Sequence, residues 1–123
     1  MKQLLLIFIG GGTGSILRYG ISRLLNSQNS TIPYGTLAVN CIGSLLIGIL
    51  LGFSLKNQNL SSDHLAFLVI GFCGGFTTFS TFSYENTMFL KSGDLLSFFG
   101  YTIASLVLGI LFVVIGLWMV KFF

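Results

Sequence analysis

Four long apolar runs, separated by three short polar segments, dominate the sequence. The runs cover roughly residues 4–25, 34–55, 64–90 and 96–120, and the polar segments are NSQNSTIP, KNQNLSSD and KSGD. A membrane-spanning helix needs about 20 mostly apolar residues, and each run meets that length. The pattern predicts an all-α membrane protein with four transmembrane helices in a single domain over residues 1–123. Ser62 or Asp63 is expected to cap the third helix.

The third run is too long for one straight span. A single helix over residues 64–90 would be about 40 Å long, against a hydrocarbon thickness of about 30 Å. A break near Gly74-Gly75 would divide the run into two shorter helices, and its freed backbone carbonyls would suit a hard cation. A plain tilted helix is the alternative interpretation.

The composition excludes a soluble domain. Only 7% of the residues are charged, whereas soluble domains carry about 25%. The six basic residues are too few and too scattered to form a nucleic-acid surface. Cys41 and Cys73 lie in apolar runs, and with a single His they do not make a four-ligand zinc site. We interpret both cysteines as small buried hydrophobic residues.

The positive charges near the span ends are almost balanced. With four spans, Lys2, Lys56 and Lys121 fall on one side of the membrane, and Arg23 and Lys91 fall on the other. Because this bias sets orientation, the chain is expected to insert both ways up and to pair as an antiparallel dimer. The alternative is that Arg18 or the insertion machinery fixes one orientation. Three G-x-x-x-G pairs, Gly10/Gly14, Gly48/Gly52 and Gly71/Gly75, also favour close packing, from which we expect a dimer.

Hydroxyl groups are concentrated in one apolar stretch. Residues 76–83, FTTFSTFS, contain five hydroxyls interleaved with phenylalanines, and Phe79 and Phe82 are three apart. An aromatic ring is positive at its edge, so ring edges together with hydroxyl hydrogens form a surface that a small anion can contact. The stretch indicates a site where these donors replace the water that the anion loses.

Other polar residues at membrane depth recur at helical spacing. Thr36, Asn40 and Ser44 are four apart in the second run, and Tyr101 and Ser105 are four apart in the fourth. Such groups are costly in lipid and are either functional or bonded between helices, and for Thr36 and Ser44 both interpretations stay open. Arg18 either lines a vestibule or extends to the headgroups. Glu85 is expected to bond hydroxyls or Asn86, with a proton-coupling role as the other interpretation.

These segments resemble the Fluc (CrcB) family of fluoride channels over essentially the whole chain. The matching pieces are GGGTGSILRYG, GTLAVNCIGSLLIG and the highly specific GFCGGFTTFSTFSYE, with a weaker match through Tyr101 and Ser105. The resemblance implies a dual-topology antiparallel homodimer with two pores. It also implies a bacterial inner (plasma) membrane and passive export of cytosolic fluoride.

The resemblance also implies site residues. Phe79 and Phe82 correspond to the pore phenylalanines and Asn40 to the pore asparagine. The polar track would comprise Ser80, Thr81, Tyr101 and Ser105, with Arg18 in the vestibule and the backbone carbonyls of Gly74 and Thr77 holding a structural sodium at the dimer interface. A further hydroxyl of the track, one turn beyond Ser105, is replaced here by Gly109.

Two other functions compete with a channel. A proton-coupled small multidrug exporter has the same span number, but it needs a carboxylate in its first span, where this chain has Arg18. A non-transporting assembly subunit would use its polar residues only to join helices. An enzyme is not expected, because Asp63 and His64 are adjacent and helical neighbours point apart.

Overall fold

The chain folds into four long helical rods. The structure, a computed structural model, describes residues 1–26, 29–57 and 60–123, so parts of the first two predicted polar segments lie outside the described residues. All four rods are long and apolar enough to cross a membrane. The prediction of an all-α chain with four apolar helices is therefore confirmed.

The first two rods and the fourth are simple, whereas the third is composite. The first is α1 (Lys2–Leu25) and the second is α2 (Tyr34–Asn57). The third comprises α3 (Ser62–His64), a π-helical segment (Leu65–Cys73), α4 (Gly74–Phe76) and α5 (Phe79–Ser92). The fourth is α6 (Leu95–Met119), which closes in a 3-10 turn (Val120–Phe122).

The third rod is broken, but not where the glycines predict. Gly74 has helical backbone angles (φ −63°, ψ −38°), and α4 continues through Gly75. The backbone becomes extended at Thr77 (φ −84°, ψ 160°) and Thr78 (φ −152°, ψ 119°). The break therefore lies about one turn after Gly74, where side chains from within and beyond the rod replace the helical hydrogen bonds.

The start of the third rod also differs from the prediction. Ser61, and not Ser62 or Asp63, is the cap, because its hydroxyl accepts the backbone N–H of His64 at 3.4 Å. Asp63 instead forms an ion pair with Lys2 at 2.5 Å, which joins the starts of the first and third rods.

The glycine pairs pack the helices of one chain against each other. A Cβ atom on Gly14 would lie 2.2 Å from the carbonyl oxygen of Phe72, and one on Gly75 would lie 2.3 Å from that of Gly11. The pair Gly48/Gly52 meets α6 in the same way, since a Cβ on Gly48 would lie 2.3 Å from the Val113 carbonyl oxygen. The predicted close packing is confirmed, but these contacts lie within the chain, so they carry no evidence for a dimer.

Candidate functional site

The break in the third rod is held open by an amide from α2. Asn40 Nδ2 donates to the Thr78 carbonyl oxygen at 3.1 Å, and the Thr78 backbone N–H donates to Asn40 Oδ1 at 2.8 Å. The side chain thus substitutes for two backbone partners at once. Because buried backbone groups must be paired, these two bonds from Asn40 stabilise the extended conformation of Thr78 within a membrane span.

Two further backbone carbonyls at the break lose their helical partners. In an unbroken helix the amide of Thr78 would bond the carbonyl of Gly74, and that of Thr81 would bond the carbonyl of Thr77. Instead, the Thr78 amide donates to Asn40 Oδ1, and the Thr81 amide donates to the Thr78 hydroxyl oxygen at 3.2 Å. The Gly74 and Thr77 carbonyls are therefore released from the helical ladder.

The carbonyl of Gly75 is the one that polar side chains of α1 contact. Arg18 Nε donates to this oxygen at 3.0 Å, and the Ser15 hydroxyl donates to it at 3.3 Å. The guanidinium group of Arg18 is thereby fixed beside the break, at the packing interface of the first and third rods.

A cavity of about 260 Å³ opens beside the break, between α2, α5 and α6. It is lined by Asn40, Ser44, Ile47, Thr77, Thr78, Phe79, Phe82, Ser105 and Leu106. Every one of these residues is uncharged. The polar groups that line the cavity are therefore neutral donors and acceptors, set among aliphatic and aromatic walls.

The hydroxyl of Ser105 is the most informative group in this lining. Its oxygen is buried and makes no hydrogen bond of good geometry within the described residues. A buried polar group left without a partner costs roughly 1–3 kcal/mol. Because Ser105 lines the cavity, its hydroxyl is placed to bond a molecule or ion that enters there.

Two phenylalanine rings form the wall of the cavity on the α5 side. The ring centroids of Phe79 and Phe82 are 5.7 Å apart with the planes tilted by 40°. The row continues to Tyr101, whose ring lies 5.4 Å from that of Phe82. Phe79 is 76% exposed, so the cavity is open on this side of the single chain.

A carboxylate on α5 lies between two other rods. The hydroxyl of Thr36 donates to Glu85 Oε1 at 2.6 Å, and that of Tyr101 donates to Glu85 Oε2 at 2.6 Å. Thr36 and Tyr101 are almost fully buried. The expectation that Glu85 bonds hydroxyls is confirmed, and these bonds join α2, α5 and α6.

Asn86 does not take part in that cluster. Its amide donates to the Phe82 carbonyl at 3.1 Å and accepts from the Thr102 hydroxyl at 3.0 Å. Asn86 thus forms a second polar link between α5 and α6, which the sequence did not reveal.

Residues 5–117 match the family model described as CrcB-like protein, Camphor Resistance (CrcB). This chain belongs to the CrcB family. A CrcB relative from Phocaeicola vulgatus is 53% identical over 97% of this chain and 98% of its own. Relatives from Gloeothece citriformis and Leptospira interrogans are 48% and 46% identical, again over nearly the full length of both chains. All three are named fluoride-specific ion channel FluC. The resemblance to the Fluc (CrcB) family is therefore confirmed.

The predicted CrcB site residues fall into two groups. Asn40, Phe79, Phe82 and Ser105 line the same cavity, from α2, α5 and α6, and Thr77 lines it at the break. The remaining hydroxyl residues lie beside it. Thr81 accepts a hydrogen bond from the Thr78 hydroxyl at 3.1 Å, Ser80 lies 3.3 Å from the same hydroxyl, and Tyr101 is bonded to Glu85.

Two polar lining residues were not assigned to the site in advance. Ser44 shares a helix face with Asn40, and this spacing was visible in the sequence without deciding between site and packing. Thr78 lines the cavity at the break, and its hydroxyl also caps α5. No sequence signal separates Thr78 from its hydroxyl-bearing neighbours, because its role depends on the position of the break.

Proposed function

We propose that this chain is a fluoride-selective channel that exports cytosolic fluoride passively through the cavity beside the helix break. The observation that carries the proposal is the buried Ser105 hydroxyl in the cavity wall, which makes no hydrogen bond within the described residues and is a donor that suits a desolvated anion. The names of the three CrcB relatives, which are those of fluoride channels and not of enzymes, agree with it.

Neutral donors suit fluoride better than charged ones. Fluoride is small and strongly hydrated, so its passage requires hydrogen-bond donors along the path, while conduction requires that no site binds it too tightly. Asn40 uses its oxygen and one N–H at the break, which leaves its second N–H for the anion. The positive edges of Phe79 and Phe82 would contact the anion between the polar groups.

The polar track would extend from the cavity along the hydroxyl residues beside it. Ser80 and Thr81 stand at the first turn of α5, next to the break, and Tyr101 touches Phe82 through its ring. Arg18 would give a vestibule a positive potential that attracts anions.

A second, antiparallel copy of the chain would complete each pore. The open cavity and the exposed Phe79 need a cover, and the balanced charges at the two ends of the spans allow both orientations. Two pores would follow if each chain contributes one such cavity. We place this single four-helix domain, residues 1–123, in the bacterial inner membrane.

A sodium ion is the structural cofactor that we propose for the dimer interface. The Gly74 and Thr77 carbonyls fit a hard cation, because both present neutral oxygens, and the amides that would bond them in a helix donate to side chains instead. Two chains together would offer four such oxygens. When bound, the ion would supply positive potential near the anion path and would join the two chains.

The function is tested with liposomes that contain only this chain. Fluoride efflux is recorded with a fluoride-selective electrode, with chloride efflux as the control. We expect fast fluoride efflux, driven by its gradient and not by a proton gradient, and little chloride efflux. Drug-driven proton release without fluoride efflux would instead support a multidrug exporter with Glu85 as its carboxylate, and efflux of neither ion would support an assembly subunit.

The sodium site has a separate test. Replacing sodium by a large organic cation should lower the thermal stability of the purified dimer, because the released carbonyls would lose their common partner. Equal stability in both salts would contradict the assignment of Gly74 and Thr77 without affecting the proposed ion path.

A further inference from the structure

The side of the cavity formed by α2 and α6 carries a second hydroxyl, that of Ser44, which makes no hydrogen bond to any residue that the structure describes. Ser44 lines the cavity one helical turn beyond Asn40. On the facing helix stands Gly109, where a Cβ atom would lie 3.8 Å from Ser44 Oγ. The glycine thus leaves the space beside the Ser44 hydroxyl free of a side chain from position 109.

The Ser44 hydroxyl does not behave like the structural hydroxyls of this chain. Serine and threonine in membrane helices commonly donate to a backbone carbonyl one turn earlier. Thr13, Thr77 and Thr87 do so, with bonds to the carbonyls of Ile9, Cys73 and Ser83 at 3.0, 2.8 and 2.9 Å. Ser44 makes no such bond, and none to a side chain in the described part of the chain.

We propose that Ser44 is a further fluoride-contacting residue. Its hydroxyl would donate to the anion next along the path after Asn40 and Ser105, and so would extend the row of donors by one helical turn. Gly109 is part of the same arrangement, because the space left by its missing side chain lets the anion reach the Ser44 hydroxyl. This proposal rests on the proposed fluoride channel and adds a residue to its path.

The alternative is that Ser44 is a small residue that merely lets α2 and α6 approach. Alanine would serve that purpose equally well, since it has the same reach without the hydroxyl. The two interpretations therefore differ in what Ser44→Ala does to fluoride flux while the fold stays intact.

The test compares fluoride efflux from liposomes for the wild type, Ser44→Ala and the double variant Ser44→Ala/Gly109→Ser. We expect the first variant to conduct about tenfold more slowly, because one hydrogen bond to a charged species is lost. The double variant should recover most of the flux. Among the described residues, a Cβ at position 109 meets only Ser44 Oγ within 4 Å, and this oxygen is absent in the double variant, so the new hydroxyl has room to take the place of the lost one.

Ser54→Ala is the matched control, because Ser54 lies on α2 nearly three turns beyond Ser44 and away from the cavity. It should conduct as the wild type does. Unchanged flux in Ser44→Ala, or a loss that Gly109→Ser does not restore, would overturn the role of Ser44 as a donor. Either result, obtained with a conducting wild type, leaves the proposed channel standing, whereas a wild type that does not conduct fluoride overturns the proposed function itself.

Discussion

Asn40 has two tasks that depend on the same side chain. Its oxygen and one N–H hold the extended backbone of Thr78, and the remaining N–H belongs to the cavity wall. An amide suits this position because it offers an acceptor and two donors. A carboxylate of nearly the same shape offers acceptors alone, so substitution separates shape from hydrogen bonding.

Asn40→Asp should reduce fluoride flux to below about one-tenth of the wild-type rate, because it removes two donors and adds a charge of the same sign as the anion. The Asp oxygen would also repel the Thr78 carbonyl, which loses its donor. The measurement is electrode-recorded efflux, with the dimer fraction checked by size-exclusion chromatography. Flux above half the wild-type rate would contradict the donor role of Asn40.

The two cavity phenylalanines provide the test of the ring-edge contact. Phe79→Ile and Phe82→Ile keep an apolar side chain but remove the positive ring edge, so each should abolish flux while the protein still assembles. Phe8→Ile is the control, since Phe8 is 77% exposed on α1, away from the cavity. Normal efflux in both cavity variants would show that aromatic edges do not contact the ion.

At the scale of elements, the fold depends on how α1 meets the π-helical segment. Gly10 and Gly14, four residues apart on α1, face the carbonyls of Phe67 and Phe72, which are five apart. The wider π-helical turn brings both carbonyls against the same glycine stripe. The sequence predicts the glycine contacts but not the π-helix, because a local pattern does not show which helix the stripe will meet.

Gly14→Ala should lower the free energy of unfolding by about 1–3 kcal/mol, because the added methyl group overlaps backbone that cannot move easily. Gly12→Ala is the matched control on the same helix, since a Cβ there meets nothing within 4 Å. Thermal unfolding in detergent measures both. Equal melting temperatures for the two variants would contradict the close packing of α1 against the third rod.

The turn between α5 and α6 lies outside the spans and is stabilised by the acidic side chain of Asp94. Gly93 adopts a left-handed conformation (φ 75°), and Asp94 then caps α6 by accepting the Ser97 backbone N–H at 3.0 Å. Hydrogen bonds from the Ser97 side chain and backbone lower the pKa of Asp94 below its usual value. The ionised carboxylate is therefore the form that stabilises the fold.

Asp94→Ala should lower the melting temperature at pH 7, whereas Asp94→Asn should retain most of the cap. Because the pKa of Asp94 is lower in the folded state, the ionised carboxylate contributes its full stabilisation above the unfolded-state pKa of about 3.9. This stabilisation is lost as the pH falls through the folded-state pKa. The gap between wild type and Asp94→Ala should therefore shrink in strong acid. A gap that stays constant with pH would contradict the role of the ionised cap.

The position of the helix break shows where prediction from the sequence ends. The excess length of the third run indicates a break, and Gly74-Gly75 is the most permissive local sequence. The break lies at Thr77 and Thr78 instead, because Asn40 supplies both backbone partners from α2 and the Thr78 hydroxyl caps α5. Only the tertiary arrangement reveals these partners, whereas Gly74 and Gly75 stay helical and Gly75 packs against the backbone of Gly11 in α1.

At the scale of the whole molecule, helical spacing predicts only which residues of one helix can line the cavity together. Asn40 and Ser44 line it from α2, and Phe79 and Phe82 line it from α5, because residues three or four apart share a helix face. The bonds of Glu85 to Thr36 and Tyr101 could not be predicted as a unit, since they require the relative positions of three helices. Orientation and dimer assembly remain predictions from the charge balance and the family.

The most direct measurement is the reversal potential of the current through a planar bilayer that contains the purified chain, with fluoride on one side and chloride on the other. If neutral donors and ring edges form the path, the reversal potential should follow the fluoride gradient and should not shift when a proton gradient is added. A reversal potential set by chloride or by protons would contradict a fluoride path through this cavity.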